Sequence, residues 1–382
     1  YSIVPPVLMC YLLPALLRST GIISDEFSGL YHITSQYLLP AALVLMTLSM
    51  DLKAIIQLGP KALIMFLTGS LGIVLGGPIA LLIVSWFNPS WTAGVGFDAI
   101  WRGLSTIAGS WIGGGANQAA MLEVFQYNPE KYGGMVLVDI VVANIWLALL
   151  LLGVGRKEQI NRWLKADNSS ITELQEKVGK FTQSITRVPN LNDYMAILAI
   201  SFVSVGLGHA LGGWLSRWAL GFEVVAQSTG FLSFLSSSFF WMVVVVTLLG
   251  MFYSTTPLKN YEGAGASKIG SVFVYLLVAS IGMKMDLGSV LKNPGLLVVG
   301  LIWMAFHVAL LIGMAKLIRA PYFFLAVGSK ANVGGAASAP IVASAFHPSL
   351  ASVGVLLAVF GYVVGTYGAL LAALLMEIAA PK

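Results

Sequence analysis

The chain has 382 residues, of which 58% are hydrophobic and 10% charged, with a mean hydropathy of +0.86 and a formal net charge of +5. These values exclude a soluble enzyme folded around one buried core and place the chain among polytopic, all-α membrane proteins. The basic residues are not interleaved with aromatics on a soluble face, so they do not point to nucleic acid; loop orientation across a bilayer explains them better.

Apolar runs of the length that crosses a bilayer as a helix, about 17 to 25 residues, are expected near 3–18, 33–50, 61–86, 100–127, 132–154, 193–216, 236–257, 266–284, 293–318, 321–346 and 349–377. The first run is already under way at Tyr1, which raises the expectation of one further N-terminal helix before it. Cys10 is the one cysteine, so no internal disulfide framework is expected. Between the fifth and sixth runs lies a polar stretch with seven basic residues, Arg156, Lys157, Arg162, Lys165, Lys177, Lys180 and Arg187. The positive-inside rule makes this stretch cytoplasmic, a solvated connector that partly forms a surface helix. The chain therefore divides into a first transmembrane repeat (1–154), a cytoplasmic linker (155–191) and a second transmembrane repeat (192–382).

The repeat is legible in the residues. "YHITSQYLLPAALVLMTLSMDL" (31–52) and "ASKIGSVFVYLLVASIGMKMDL" (266–287) have equal length and end on Met-Asp-Leu, and each is followed by a proline, Pro60 or Pro294, and another apolar run. A glycine-rich break comes next in each half: "GSWIGGGANQAAM" (109–121) and "GSKANVGGAASAP" (328–340). A shift of 220 residues lays Gly114 and Gly115 on Gly334 and Gly335, and each break precedes a long apolar run. Four matched elements in one order indicate duplication.

Duplicated units inverted in the membrane place a site at the midplane, where glycine-interrupted segments of the two halves meet. Backbone that leaves helical geometry at that depth survives only if protein or a water-filled cavity satisfies it. Close helix packing by small residues is the plainer explanation of such glycines. The symmetric pair favours a site, with Gly113, Gly114, Gly115, Asn117 and Gln118 from the first break and Asn332, Gly334, Gly335 and Ser338 from the second as solute-binding groups. Each break is either a re-entrant hairpin or a fully crossing broken helix. Inversion needs an odd number of crossings per half, which hairpins supply, but loop charge does not decide between the two.

Asp139 lies near the middle of a long apolar run, where an unpaired carboxylate costs a few kcal/mol and so needs a cation, a proton or a partner. Asn144 is five residues further on. Lys330 and Ser329 sit nearer the edge of their apolar stretch, so Lys330 is expected to snorkel to the interface. Glu123 is either a second acidic candidate or the exit of the first break into water. Asp51 and Asp286 read as helix N-caps. His307 reads as a hydrogen-bonded helix residue, with a proton relay as the sharper alternative. His32, His209 and His347 form no metal-ligand pattern with it, and many of the ten tryptophans fall near segment ends, where the interface favours them.

The order of "SIGMKMDLGSVLKNPGLLVVGL", the glycine-rich break and the final helix resembles the bile/arsenite/riboflavin-transporter superfamily and its sodium/proton-antiporter relatives. More closely, "GSWIGGGANQAAM", "VDIVVANIWLALLL" and "ANVGGAASAP" resemble the bacterial membrane-protein family known as domain of unknown function 819, over nearly the whole chain. The resemblance implies an inverted-repeat secondary transporter, a homodimer of the bacterial inner (cytoplasmic) membrane. A mobile core would carry the two broken elements past a scaffold in an elevator-type movement. It also implies that Asp139, on the helix after the first break, binds the coupling ion, with Na+ held by Asp139, Asn144 and Asn117. The antiporter relatives carry an acidic pair or an Asn-Asp pair, and here Asp139 has Asn144 instead.

The expected function is cation-coupled (Na+ or H+) transport of a small organic solute such as an amino acid, short peptide or peptidoglycan fragment; the alternative is a monovalent cation/proton antiporter. No convergent nucleophile–base or metal set points to an enzyme, and no cofactor beyond the coupling ion is implied.

Overall fold

A computed structural model of the chain describes residues 6–22, 28–50, 52–167, 188–226, 233–283, 293–347 and 350–381, and among them the secondary structure is helical with no strand. The first part contains α1 (Pro6–Ser19), α2 (Ser28–Ile33), α3 (Leu39–Leu48), α4 (Leu52–Gln57), α5 (Pro60–Phe87), α6 (Ile100–Phe125), α7 (Tyr132–Val154) and α8 (Lys157–Leu164). The second contains α9 (Leu191–Leu220), α10 (Ser238–Ser254), α11 (Ala266–Gly282), α12 (Gly295–Leu317), α13 (Tyr322–Asn332), α14 (Gly335–Phe346) and α15 (Ala351–Ala379). Most bounds fall within a few residues of the apolar runs. The run at 33–50 differs, because α2 joins α3 through a π-helical turn at Thr34–Leu38.

Local chemistry sets the ends. Pro60 opens α5 just after Gly59 (φ 87°), where its missing N–H costs nothing. Asn190 and Asp193 form a reciprocal capping box on α9. Ser237 caps α10 by accepting from the Phe240 N–H. The connector at 155–191 does open with a short helix, α8; Lys177, Lys180 and Arg187 lie outside the described residues, as do the two aspartates read as caps, Asp51 and Asp286.

Among the described residues, α5, α7, α9, α12 and most of α15 are long and apolar enough to cross a membrane, and α10 with its bent 3-10 continuation makes a sixth candidate. The chain is a multi-pass membrane protein.

α6 is the exception in shape. Although it spans 26 residues, Arg102 Nη1 donates to the Phe125 carbonyl at 2.5 Å, and the Trp101 and Phe125 rings stack edge-on at 5.5 Å. A straight helix would hold residues 23 apart at about 34 Å. The chain instead reverses at Gly114 (φ 72°, ψ −172°), a conformation that penalises any residue with a Cβ. α13 and α14 repeat this geometry. They join at Gly334 (φ 124°) and Gly335 (φ 55°), and Tyr322 and Phe323 at one end meet the Phe346 ring at the other, at 5.6 and 5.4 Å. Both glycine-rich breaks are therefore helical hairpins with their two ends side by side.

Helix packing is heaviest within two groups. α5, α6, α7, α12, α13, α14 and α15 pack on one another, α15 running along α6 and α12 along α5, while α3 is surrounded by α9, α10 and α11, with α1 against α11. The groups meet chiefly where α3, α10 and α11 touch α6 and α15. Trp111, Trp146 and Trp303 lie inside the first group with their N–H groups bonded, so these three are core residues and not interfacial anchors.

Candidate functional site

The first hairpin wraps the Asp139 carboxylate. From the limb before Gly114, Ser110 Oγ donates to Asp139 at 2.6 Å and Trp111 Nε1 at 2.8 Å. From the limb after it, Gln118 Nε2 donates at 3.0 Å. Asp139 is 8% exposed. Three donors thus converge on one buried carboxylate and occupy its acceptor sites.

The countercharge comes from the second hairpin. Lys330 is only 2% exposed, and its Nζ donates to the Ala143 carbonyl at 3.1 Å, one helical turn beyond Asp139 on α7. The two charges attract one another without forming a direct ion pair. The snorkelling expected of Lys330 is thus overturned. Its hairpin folds inward, so the residue lies beside a buried carboxylate and not at an interface.

Ser338 belongs to this same corner. A Cβ on Gly334 would lie 2.2 Å from Ser338 Oγ and 3.0 Å from Lys330 Nζ, so the hydroxyl and the ammonium converge over the second hairpin's turn. Ser338 Oγ is buried with no hydrogen-bond partner among the described residues. Glycine is required at 334 by the positive φ and by this close approach together.

Asn117 and Asn332 are anchors. Asn117 Nδ2 donates to the carbonyls of Gly113 (3.0 Å) and Tyr362 (2.9 Å), and its Oδ1 accepts from Thr366 Oγ1 at 2.6 Å. Asn332 Nδ2 donates to the carbonyls of Phe66 and Gly328, both 2.9 Å, and its Oδ1 accepts from Ser70 Oγ at 2.7 Å. Each asparagine clamps its hairpin to a carbonyl and to a hydroxyl one turn further along a neighbouring helix, α15 for Asn117 and α5 for Asn332. Both are fully buried.

The structure does not bring Asn144 to Asp139. Its amide donates to the Ile140 carbonyl at 2.8 Å on the exposed face of α7. The Asn117 oxygen is taken by Thr366 Oγ1, and Asn144 lies on the exposed face of α7 while Asp139 is buried, so the three are not gathered into one ligand set. Gly113 sits against Gly365 of α15, where a Cβ on Gly113 would lie 2.9 Å from Gly365 Cα, a close-packing role. Gly114 and Gly115 are partly accessible and Gly334 is exposed at the two tips, while Gly335 is buried. Glu123 is hydrogen-bonded by the Tyr31 hydroxyl.

His307 is fully buried. Its Nδ1 faces the Gly69 carbonyl at 2.9 Å and its Nε2 faces Ser329 Oγ at 2.8 Å, which also receives the Trp146 indole N–H at 2.8 Å. A carbonyl only accepts, so Nδ1 carries the proton, leaving Nε2 to accept from Ser329. The chain of bonds ties α5, α7, α12 and the second hairpin together. Sequence reading missed Ser110, Trp111 and Lys330 as neighbours of Asp139; the available signal was that Ser110, Trp111 and Gln118 flank one glycine break, which a hairpin brings to a single point.

Comparison with known proteins agrees with a membrane protein. A protein of Bacillus subtilis (strain 168), the uncharacterized membrane protein YjcL, is 23% identical over 357 residues, covering 91% of this chain and 84% of its own length. The family model described as "Protein of unknown function (DUF819)" matches residues 1–378, so the chain belongs to the DUF819 family.

Proposed function

We propose that the protein is a secondary active transporter, coupling the movement of a small organic solute to Na+ or H+, with Asp139 as the coupling site and Lys330 as its internal countercharge. The observation that carries this reading is the meeting of both hairpins on one turn of α7, the first through three donors to Asp139 and the second through the buried Lys330 ammonium on the Ala143 carbonyl. A carboxylate and an ammonium at this depth are each costly alone, and groups so placed mark ion and substrate pathways. A cation that neutralises Asp139 changes which partner the carboxylate holds, and so how tightly the two hairpins are tied to α7.

The packing supports an inverted repeat with a core and a scaffold. Counterparts of the two sequence halves lie against each other, α3 on α11 and α5 on α12, as elements around a two-fold axis do. The two helix groups meet where the hairpin group touches α3, α10 and α11. Movement of that group past the other is the elevator reading, with the dimer formed by the scaffold and the bacterial inner membrane as location. Lys330 gives specific weight to a second reading, monovalent cation/proton antiport, because it adds a second ionisable group inside the site.

The test is uptake into proteoliposomes under imposed Na+ and H+ gradients, using amino acids, short peptides, muropeptides and organic anions. Solute accumulation driven by one ion and lost in Asp139→Asn supports solute symport. Na+- or K+-driven change of internal pH with no solute supports antiport. Undiminished uptake by Asp139→Asn removes Asp139 from the mechanism.

A further inference from the structure

A polar cavity lies at the open end of the first hairpin, away from Asp139. It has a volume of about 550 Å³ and is walled by Arg102 at the hairpin base, Glu377 near the end of α15, Gln36 of the π-helical turn, Gln126, and Ser237 and Ser238 at the start of α10. It therefore sits where the hairpin group meets the other helices. Arg102 is eight residues before Ser110 in the same limb, about 12 Å of helix, so the cavity is separate from the Asp139 cluster.

The charges in it are opposite and held apart. The Arg102 guanidinium lies over the Trp101 and Phe97 rings at 4.8 and 5.8 Å, and one N–H is fixed by the Phe125 carbonyl. Its Nε is buried with no hydrogen-bond partner among the described residues. Glu377 attracts Arg102, yet no direct ion pair joins them. The side chains of Gln36, Gln126 and Ser238 make no hydrogen bond within the described structure, although amides and hydroxyls have several sites to satisfy. A guanidinium stacked on aromatic faces presents its remaining donors in the fork that matches a carboxylate. A carboxylate across the same cavity matches an ammonium.

We infer that this cavity binds a zwitterionic solute of the amino-acid or short-peptide class, its carboxylate on Arg102 and its ammonium on Glu377, with Gln36, Gln126 and Ser238 available to its polar groups. The inference rests on the transporter reading for its purpose, a capture site at the entrance to the hairpin group, and names the substrate class of that reading. The binding itself stands apart from transport.

The experiment is isothermal titration of the purified full chain in detergent with the proteinogenic amino acids and alanyl-alanine, followed for each binder by its N-acetylated and its C-amidated analogue. Binding of a zwitterion with at least tenfold weakening by either blocking group is expected. Glu377→Gln should erase the preference for the free ammonium while retaining the preference for the free carboxylate. Arg102→Lys, which keeps the charge and loses the fork, should weaken binding about tenfold, and circular dichroism checks that the hairpin tie has not cost the fold. No binding by any member, or equal binding by blocked and unblocked forms, overturns the inference. Selective binding without uptake in proteoliposomes leaves the site standing and removes the transporter reading. Uptake unaffected by Glu377→Gln and Arg102→Lys removes the capture role of the cavity and leaves the transporter.

Discussion

Gln118 and Asp139 meet across the turn of the first hairpin: the Gln118 amide, four residues past Gly114, donates to the Asp139 carboxylate at 3.0 Å, while Ser110 and Trp111, on the other limb, donate to the same group. The carboxylate thus fastens both limbs to α7. Its partner Lys330 does the same for the second hairpin through Ala143.

The linkage between the two charges is expected to appear as non-additivity. Asp139→Asn and Lys330→Met should each destabilise the protein, because each leaves a buried charge without its counterpart. The double variant should lose less than the sum, with a coupling of about 0.5–3 kcal/mol, measured by thermal unfolding in detergent. Strict additivity would show that the charges do not sense each other.

Asn117 should behave as an anchor. Asn117→Ala removes the partner of the buried Tyr362 carbonyl and of the Thr366 hydroxyl and should cost about 1–3 kcal/mol, read as a lowered Tm. Thr366→Val, which removes one of those bonds, should cost less. An Asn117→Ala protein as stable as the parent, with altered solute affinity, would make Asn117 a binding group instead.

Gly334→Ala should be poorly tolerated, because φ 124° disfavours a Cβ and the added methyl would press on Ser338 and Lys330. The backbone strain alone is about 1–3 kcal/mol. Ala substitution at Gly206, whose Cβ would meet nothing within 4 Å, is the control and should be neutral or slightly stabilising within its helix. Equal Tm values for the two variants would contradict the tight turn.

Outside the spans, Asp98 accepts from Lys131 Nζ and Asn128 Nδ2, both at 2.8 Å. The hydrogen bond from Lys131, then that from Asn128, hold its carboxyl below the usual value. A lowered folded value means the stabilisation is fully present above the ordinary carboxylate value, about 3.9, and is lost as pH falls through Asp98's lower one. Asp98→Asn should therefore flatten the acid limb of the Tm-versus-pH curve below about pH 4. An unchanged acid limb would show that the contact contributes nothing.

Much of the helix plan was legible, because apolar runs bounded by proline, glycine and polar breaks mark where a chain can enter and leave a bilayer. The glycine breaks were visible as well, but their reversal was not. Gly114 and Gly334 announce that the backbone departs from helix, whereas the contacts of Arg102 with Phe125 and of Tyr322 with Phe346 that close each hairpin depend on tertiary packing. Lys330 was misread for the same reason. A lysine near the edge of an apolar run ordinarily reaches for water, and only the inward fold of its hairpin places it beside Asp139. Asn117 and Asn144 carry the same side chain in similar surroundings in sequence, yet one is clamped to α15 and the other faces outward from α7.

The central claim, that Asp139 binds the coupling cation, is tested most directly by charge displacement on a solid-supported membrane when proteoliposomes meet a jump in Na+ or in H+ concentration. The parent protein is expected to give a saturable displacement with one of these ions, and Asp139→Asn, with its helicity intact, to give none. A displacement of equal size and affinity in Asp139→Asn would contradict the account.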